Sequence, residues 1–376
     1  VKTTFDGIEM DLHDDGSGGL PAAEYDPLRT PYDVREQDFP GEKSFSDQLW
    51  FLLHYAVLAP STHNTQPWRF AVLESEGIAL YADYSRRMPV IDPGNRELVI
   101  SLGAALFNLR VAAAHFAMPC EIAYNLSGDS ERPVAVARIA PPLLGGRSCP
   151  AEEELVSLFP SIAGRHTNRN PFLLSRVPAS VMLRLASCGA DSQCELVFST
   201  DGVVNERVGS LVAEAEQHQW ADAGFRKDLA EWIRPGATPE ADGIPGAAYS
   251  WTGPVAALGQ YASRTLDQGL LRAAHDRNLC VDAPGLIAVT GEDSVLHWLE
   301  AGEVLERLLL TVVREGLQYS YFNMPVQVPQ FRTQLKALLG CSAWPQLLLR
   351  VGYCLTPPAP TPRKPLQDVV LSQPMQ

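Results

Sequence analysis

Residues 60–70 read PSTHNTQPWRF, a stretch that closes an apolar helix, opens a strand, and holds between them a run of uncharged hydrogen-bonding side chains. Upstream, DQLWFLLHYAVLA (47–59) carries apolar residues at helical spacing behind a cap at Ser46 and an early aspartate, and Pro60 stops it. Downstream, RFAVLES (69–75) and GIALYAD (77–83) read as strands joined by a tight glycine turn. The hydroxyls and amides between them present donors and acceptors at a fixed place, which suits a planar heterocycle edged with carbonyls and ring nitrogens. A loop that merely caps a helix would use the same residues.

Working outward, Asp92-Pro93 reads as the cap and first position of a helix over about 96–117, apolar on nearly every face and therefore central. PVAVARIA (133–140) is a third strand, and PPLLGGRSCP (141–150) a connection to a second half. There the pattern predicts helices at 151–159, 178–187, 202–219 and 294–315, with strands at 194–199, 285–291 and 347–353. The segment 220–262 mixes amphipathic helix with Gly and Pro and reads as an insertion or lid. Helices outnumber strands and do not alternate with them one for one, which predicts an α+β fold. SLGAALFNLRVAAAHFAM and LEAGEVLERLLLTVVREGL align with Gly103 on Gly302, Leu106 on Leu305, Leu109 on Leu308 and Ala113 on Val312, a constant offset of 199. This predicts an internal duplication, organised as an acidic N-terminal arm (1–43), a first half (44–150) and a second half (151–376).

A second chemically loaded stretch is SIAGRHTNRNPF (161–172), where Arg165, His166, Thr167 and Arg169 crowd together in a chain of net charge −14 and pI near 5.0. Two guanidiniums and a hydroxyl so placed can hold a phosphate through charge-assisted hydrogen bonds, or simply form a solvated basic turn. Arg363-Lys364 in the tail could converge on the same anion or stay solvated. Gln66 and Trp68 read as scaffold, His63 as a surface or hydrogen-bonding loop residue, and Arg86, Arg87 and Arg96 as surface pairs or caps.

The acidic balance argues against a nucleic-acid partner. Seven cysteines (120, 149, 188, 194, 280, 341, 354) fall without CxxC spacing, which points away from a zinc site or disulfide framework. No apolar run approaches the roughly 20 residues of a membrane span and the start lacks a signal-peptide pattern, so the expectation is a cytoplasmic protein without a membrane partner. GxGxxG after a strand, Walker, GxSxG and HExxH motifs are all missing, so a nicotinamide would be a transient reductant.

With these motifs in hand, the chain resembles the FMN-dependent nitroreductases, in particular their duplicated single-chain Acg-like branch. Members of that family typically carry a basic motif of the form R-[RH]-[ST]-x-[RK] and a helix ending in P-S-x-x-N-x-Q-P-W. Their homodimers hold FMN at the interface, the phosphate on one subunit's basic motif and the ring on the other's P-S-x-x-N segment. Here RHTNR (165–169) and PSTHNTQPW (60–68) occur in opposite halves and reversed order; GEKSFSDQ before the first helix lacks the basic motif, and the helix after RHTNR runs into LASCGADSQC.

Covering about 44–370, the resemblance implies a nitroreductase-like fold in which one chain mimics the homodimer, with one composite FMN site and one degenerate site. Arg165, His166, Thr167 and Arg169, joined by Arg363, would surround phosphate and ribityl. Pro60, Ser61, Thr62 and Asn64 would meet the isoalloxazine, and the stretch Gln318 to Asn323 would lie near N5, although the family's acid-glycine pair is absent here. The implied activity is an NAD(P)H oxidoreductase passing electrons to a small acceptor such as a nitroaromatic or quinone, without an amino-acid nucleophile and with Arg169 as the cation near N1 and O2. Two other outcomes fit the same fold: FMN storage under a lid, and a flavin-dependent dehydrogenase of a small metabolite or peptide. The pseudo-dimeric chain is expected as a monomer or weak homodimer.

Overall fold

The computed structural model describes residues 30–127, 131–142, 150–234, 240–246, 254–356 and 358–372. Most of the arm, most of the connection at 141–150 with Cys149, and parts of 220–262 lie outside the described residues.

Helices and strands run in the order α1 (Phe45–Ala56), β1 (Trp68–Leu73), β2 (Gly77–Ala82), α2 (Arg96–His115), β3 (Cys120–Tyr124), β4 (Ala135–Ile139), α3 (Pro150–Leu158), α4 (Ser161–Gly164), α5 (Ala179–Ala186) and β5 (Glu195–Ser199). Then come α6 (Gly202–Ala221), α7 (Ala223–Glu231), β6 (Ile233–Arg234), β7 (Ile244–Pro245), α8 (Pro254–Thr265), α9 (Gly269–Val281) and β8 (Gly285–Gly291). The chain finishes with α10 (Val295–Arg314), β9 (Gln318–Tyr321), α11 (Met324–Gln327), α12 (Pro329–Leu339) and β10 (Trp344–Gly352).

Two four-stranded antiparallel sheets share one topology, β1-β2-β4-β3 and β5-β8-β10-β9. In each half the long apolar helix, α2 or α10, connects the second strand to the third. The fold is therefore α+β and internally duplicated. The crossing of α2 and α10 carries the symmetry in its atoms: a methyl group on Gly103 would sit 2.0 Å from the Leu299 carbonyl oxygen, and one on Gly302 would sit 2.0 Å from that of Ile100. Ile100 and Leu299 are themselves 199 positions apart, so the contact is reciprocal, as a two-fold axis through the crossing requires. Glycine at both positions lets the backbones touch.

Local chemistry sets the helix ends. The cap of α1 is Ser44 rather than Ser46: its Oγ accepts from the Asp47 backbone N at 3.1 Å while the Asp47 carboxylate accepts in return from Ser44. Asp92 is not the cap of α2. The helix starts after Asn95 in a left-handed conformation (φ 55°), and Asp92 instead reaches into the first turn to accept from Leu98 N at 2.9 Å. By length and composition α2 could cross a membrane, with a mean hydropathy of 1.5, contrary to the reading that no apolar run comes near a span. It lies inside the protein, where Leu102, Leu106 and Leu109 are fully or almost fully buried and each contributes about 1.5–3 kcal/mol.

One difference between the halves shapes everything that follows. A short turn joins β1 to β2, whereas the equivalent joint between β5 and β8 spans 200–284 and holds α6 to α9. The inserted segment thus starts earlier and ends later than 220–262. The C-terminal tail crosses back to the first half, where Phe70 N donates to Val369 O (2.8 Å) and Leu371 N to Phe70 O (2.7 Å), covering the edge strand β1. The described cysteines are all free.

Candidate functional site

A cavity of about 710 Å³ opens between the two halves, a size typical of cofactor sites. Pro60, Ser61, Thr62, Asn64, Arg165, His166, Thr167, Arg169 and Arg363 all line it, as do Ser320 to Asn323. Gln66 and Trp68 lie behind the wall, fully buried.

The loop after α1 is held in a costly shape. His63, Asn64 and Gln66 have φ of 50°, 56° and 50°, a left-handed conformation that side-chain-bearing residues adopt at a cost of about 1–3 kcal/mol each unless their surroundings fix it. Here the loop's own polar groups fix it. Ser61 Oγ accepts from Gln66 N (2.9 Å), and Asn64 Nδ2 donates to Gly243 O (3.1 Å) and Pro362 O (3.0 Å). Asn64 Oδ1 accepts from Arg363 (3.1 Å). Much of the side-chain hydrogen bonding of PSTHNTQPW therefore builds the loop itself.

At the other wall the arginines divide into two kinds. The buried Arg363 donates to the carbonyls of Val57 (3.0 Å), Leu58 and Ala59 (both 3.1 Å), and the buried Arg165 donates to Leu58 O (2.7 Å) and to the Tyr319 hydroxyl. Both guanidiniums thus satisfy carbonyls of the turn that follows α1, just beyond its C-terminus, where cations are favoured. Arg165 also pairs with buried Glu306 at 3.2 Å. Burial pushes Glu306 up to about 7, against the pull of Arg165 and Arg363. Burial, then Arg165 and Arg363, bring His166 down to about 4. Arg169 differs: it is exposed, lines the cavity, and makes no ion pair or hydrogen bond among the described residues.

Several wall residues escaped the sequence reading. His63, read as a surface or hydrogen-bonding loop residue, faces the cavity, and burial followed by the nearby Arg169 lowers it to about 4. Glu97 anchors a buried network that accepts from Thr62 Oγ1 (2.9 Å), Arg96 Nη2 (3.2 Å) and Gln327 Nε2 (3.0 Å), while Gln219 donates to Gln327 (2.8 Å). Burial, reinforced by Asp92, raises Glu97. Arg96 is not a surface residue: it is 8% exposed and also donates to the Gln346 carbonyl in the other half. A glutamate in the first turn of a helix looks like an ordinary dipole partner, which is why Glu97 gave no signal.

The inserted segment is fastened to the loop. Gly243 N donates to Asn64 O (3.1 Å), Gln66 Nε2 donates to Ala241 O (2.8 Å), and Asp242 binds both Arg86 and Arg234. Trp220, Phe225, Leu229 and Ile244 pack with Met88 and Ile91 of the first half. Gly243 has φ 71°, and a Cβ there would meet the Trp232 carbonyl at 2.6 Å, so the pinned strand requires glycine.

No protein-family model matches the chain. Over 324 residues it is 28% identical to a Mycobacterium tuberculosis protein named "Putative NAD(P)H nitroreductase Rv3131", covering 85% of this chain and 90% of that one. Over 340 residues it is 25% identical to "Putative NAD(P)H nitroreductase acg" of the same organism, covering 86% and 95%. Among solved structures, the FMN and NADPH-dependent nitroreductase NfnB from a Sphingopyxis species is 17% identical with a TM-score of 0.38, covering 58% of this chain and 99% of that one.

Proposed function

The chain belongs to the nitroreductase superfamily, in the single-chain branch of its acg-named relatives, and on that premise we propose that it binds one FMN in the cavity between its halves. The observation that carries the reading is convergence: residues 60–64 of PSTHNTQPW and Arg165, His166, Thr167 and Arg169 of RHTNR, motifs 105 positions apart at their first residues (60 and 165), line one cavity. The wall fits the group. His63 Nε2 and the Tyr321 hydroxyl are buried without a hydrogen-bond partner among the described residues, and such atoms cost about 1–3 kcal/mol each unless a ligand meets them. Arg169 is a cation with donors to spare.

Bound there, FMN would pass electrons from NAD(P)H to a small acceptor, a nitroaromatic or a quinone. The residues divide the work around it. Arg169 neutralises negative charge on the ligand, with Thr167 and His166 beside it as neutral hydrogen-bonding groups. Arg165 and Arg363 act one layer behind, holding the end of α1 so that the loop presents Pro60, Ser61 and Thr62. Glu97 fixes the Thr62 hydroxyl, and through Gln327 and Gln219 ties that setting to the inserted helix α6.

FMN storage is the second reading, favoured by the fastening of 240–246 to the loop, which keeps the inserted segment over the cavity. Purified yellow protein separates the two. Anaerobic bleaching of its flavin absorbance by NADH or NADPH supports the reductase; bleaching by dithionite but by neither nicotinamide supports storage.

A further inference from the structure

Arg169 reaches the cavity from a loop, and a side chain with no partner of its own takes its direction from the backbone on either side. Here that backbone is gripped by buried groups. Asn168, fully buried, donates from its N to Tyr319 O (2.9 Å) and from Nδ2 to Thr356 O (3.1 Å), while its Oδ1 accepts from Asn170 N (3.0 Å). Arg350, on β10 and 1% exposed, donates from Nη2 to the carbonyls of Asn168 (3.3 Å) and Asn170 (2.9 Å). One guanidinium nitrogen therefore bonds the residues immediately before and after Arg169.

The rest of the Arg350 side chain is fixed as well. Its guanidinium carbon lies 4.0 Å from the centre of the Phe172 ring and 5.7 Å from that of Phe322, within cation–π reach. Burial brings Arg350 down to about 10, so it stays charged at neutral pH. The duplication supplies a comparison. Arg350 stands opposite Ser320 in its sheet and Arg138 opposite Glu121 in the other, and Ser320 and Glu121 are themselves 199 positions apart. Arg138 is thus the counterpart of Arg350, yet it is exposed. The half that carries RHTNR buries its arginine against that motif, and the half that lacks the motif leaves its arginine in solvent.

We propose that Arg350 is a positioning residue for the flavin site: by bonding the backbone carbonyls on both sides of Arg169 it holds that side chain toward the cavity, ready to meet the negative charge of the ligand. Preorganisation of this kind raises affinity by removing the cost of ordering the loop at the moment of binding. The inference rests on the reading of the cavity as an FMN site, and it gives a buried cation that the sequence shows only as one residue of the strand LLLRVGY a defined part in that site.

The test is a double-mutant cycle read as FMN affinity, by fluorescence titration of the flavin-free full chain. Arg350→Met should weaken FMN binding about tenfold, yet in the Arg169→Ala background the same substitution should change it by less than about threefold, because the side chain it positions is gone. Losses that add in the double variant overturn the positioning role: that is the result expected if Arg350 met the ligand through its Nε, which has no hydrogen-bond partner among the described residues, or merely held the fold together. Arg350→Lys guards against misfolding of the methionine variant. Its ammonium stops at about the place of the guanidinium carbon and falls short of both carbonyls, so it should bind FMN several-fold more weakly; affinity equal to that of the unaltered chain overturns the proposal. A chain that takes up no FMN refutes the proposed function instead. Deuterium exchange at the Asn168 and Asn170 amides then decides the clamp: it should be faster in Arg350→Lys than in the unaltered chain, and unchanged exchange overturns it.

Discussion

Replacing Gly302 by alanine should cost far more than a methyl group usually does. The new Cβ would lie 2.0 Å from the Ile100 carbonyl oxygen and 2.9 Å from the Gly103 Cα. Both obstacles are backbone atoms of a buried helix, so no side chain can swing away. Relief requires α2 and α10 to part by about 1 Å at their crossing, and a gap of that size forfeits about a quarter to a half of the dispersion energy between the atoms it separates. Overpacking usually costs about 1–3 kcal/mol, and here it strikes the axis of the duplicated fold; alanine returns about 1 kcal/mol of helix propensity. With both obstacles being backbone, the cost falls at the upper end of that range and a net loss of about 2 kcal/mol follows, read as a lower urea midpoint by circular dichroism. Gly103→Ala should behave alike, and the double variant should lose less than the two singles together, because one separation of the helices serves both methyls. Gly94→Ala, with nothing within 4 Å of its Cβ, is the control. A Gly302→Ala chain as stable as that control would refute the reciprocal crossing.

The two kinds of arginine should separate cleanly. Arg165→Ala strips the ion pair from buried Glu306 and removes one of the two donors to the Leu58 carbonyl, costing about 3 kcal/mol of stability, whereas Arg169→Ala should leave stability within about 0.5 kcal/mol and weaken FMN binding tenfold or more; full flavin affinity in Arg169→Ala contradicts its assignment. His63 stays neutral in the folded chain down to about 4 but takes up a proton near 6.5 when unfolded. Its contribution is therefore fully present above that value and lost as pH falls from about 6.5 toward 4, amounting to at most about 2 kcal/mol between pH 7 and pH 5. His63→Asn, which tolerates the left-handed backbone, should flatten this dependence in urea titrations, and an unchanged slope would exclude His63 as its source. Asp242→Asn removes the carboxylate shared by Arg86 and Arg234, so the Gly243 and Ile244 amides should exchange with deuterium faster; unaltered exchange would show that the inserted segment is held elsewhere.

Much of this molecule can be read from its residues, and the failures have physical causes. PSTHNTQPW and RHTNR are local in sequence and chemically loud, and the structure brings both to the same cavity. The offset of 199 was visible because two buried helices in a two-fold contact keep glycine at the same place. What a guanidinium binds was not visible: Arg165 and Arg363 read as ligand-binding residues, and both also donate to carbonyls of the turn after α1, contributed from more than a hundred positions away. Strands β3 and β9 are short and partly exposed, so their alternation was too weak to register. The true extent of the inserted segment depends on recognising β5 and β8 as one interrupted hairpin, a pairing across 200–284 that no local pattern announces.

The most direct measurement is the flavin stoichiometry of the purified, FMN-saturated full chain after gel filtration, with flavin absorbance set against protein concentration from amino-acid analysis. A composite site assembled from opposite halves requires one FMN per chain. Two per chain would mean that both pseudo-symmetric sites are functional, and none would mean that the cavity between the halves is not a flavin site.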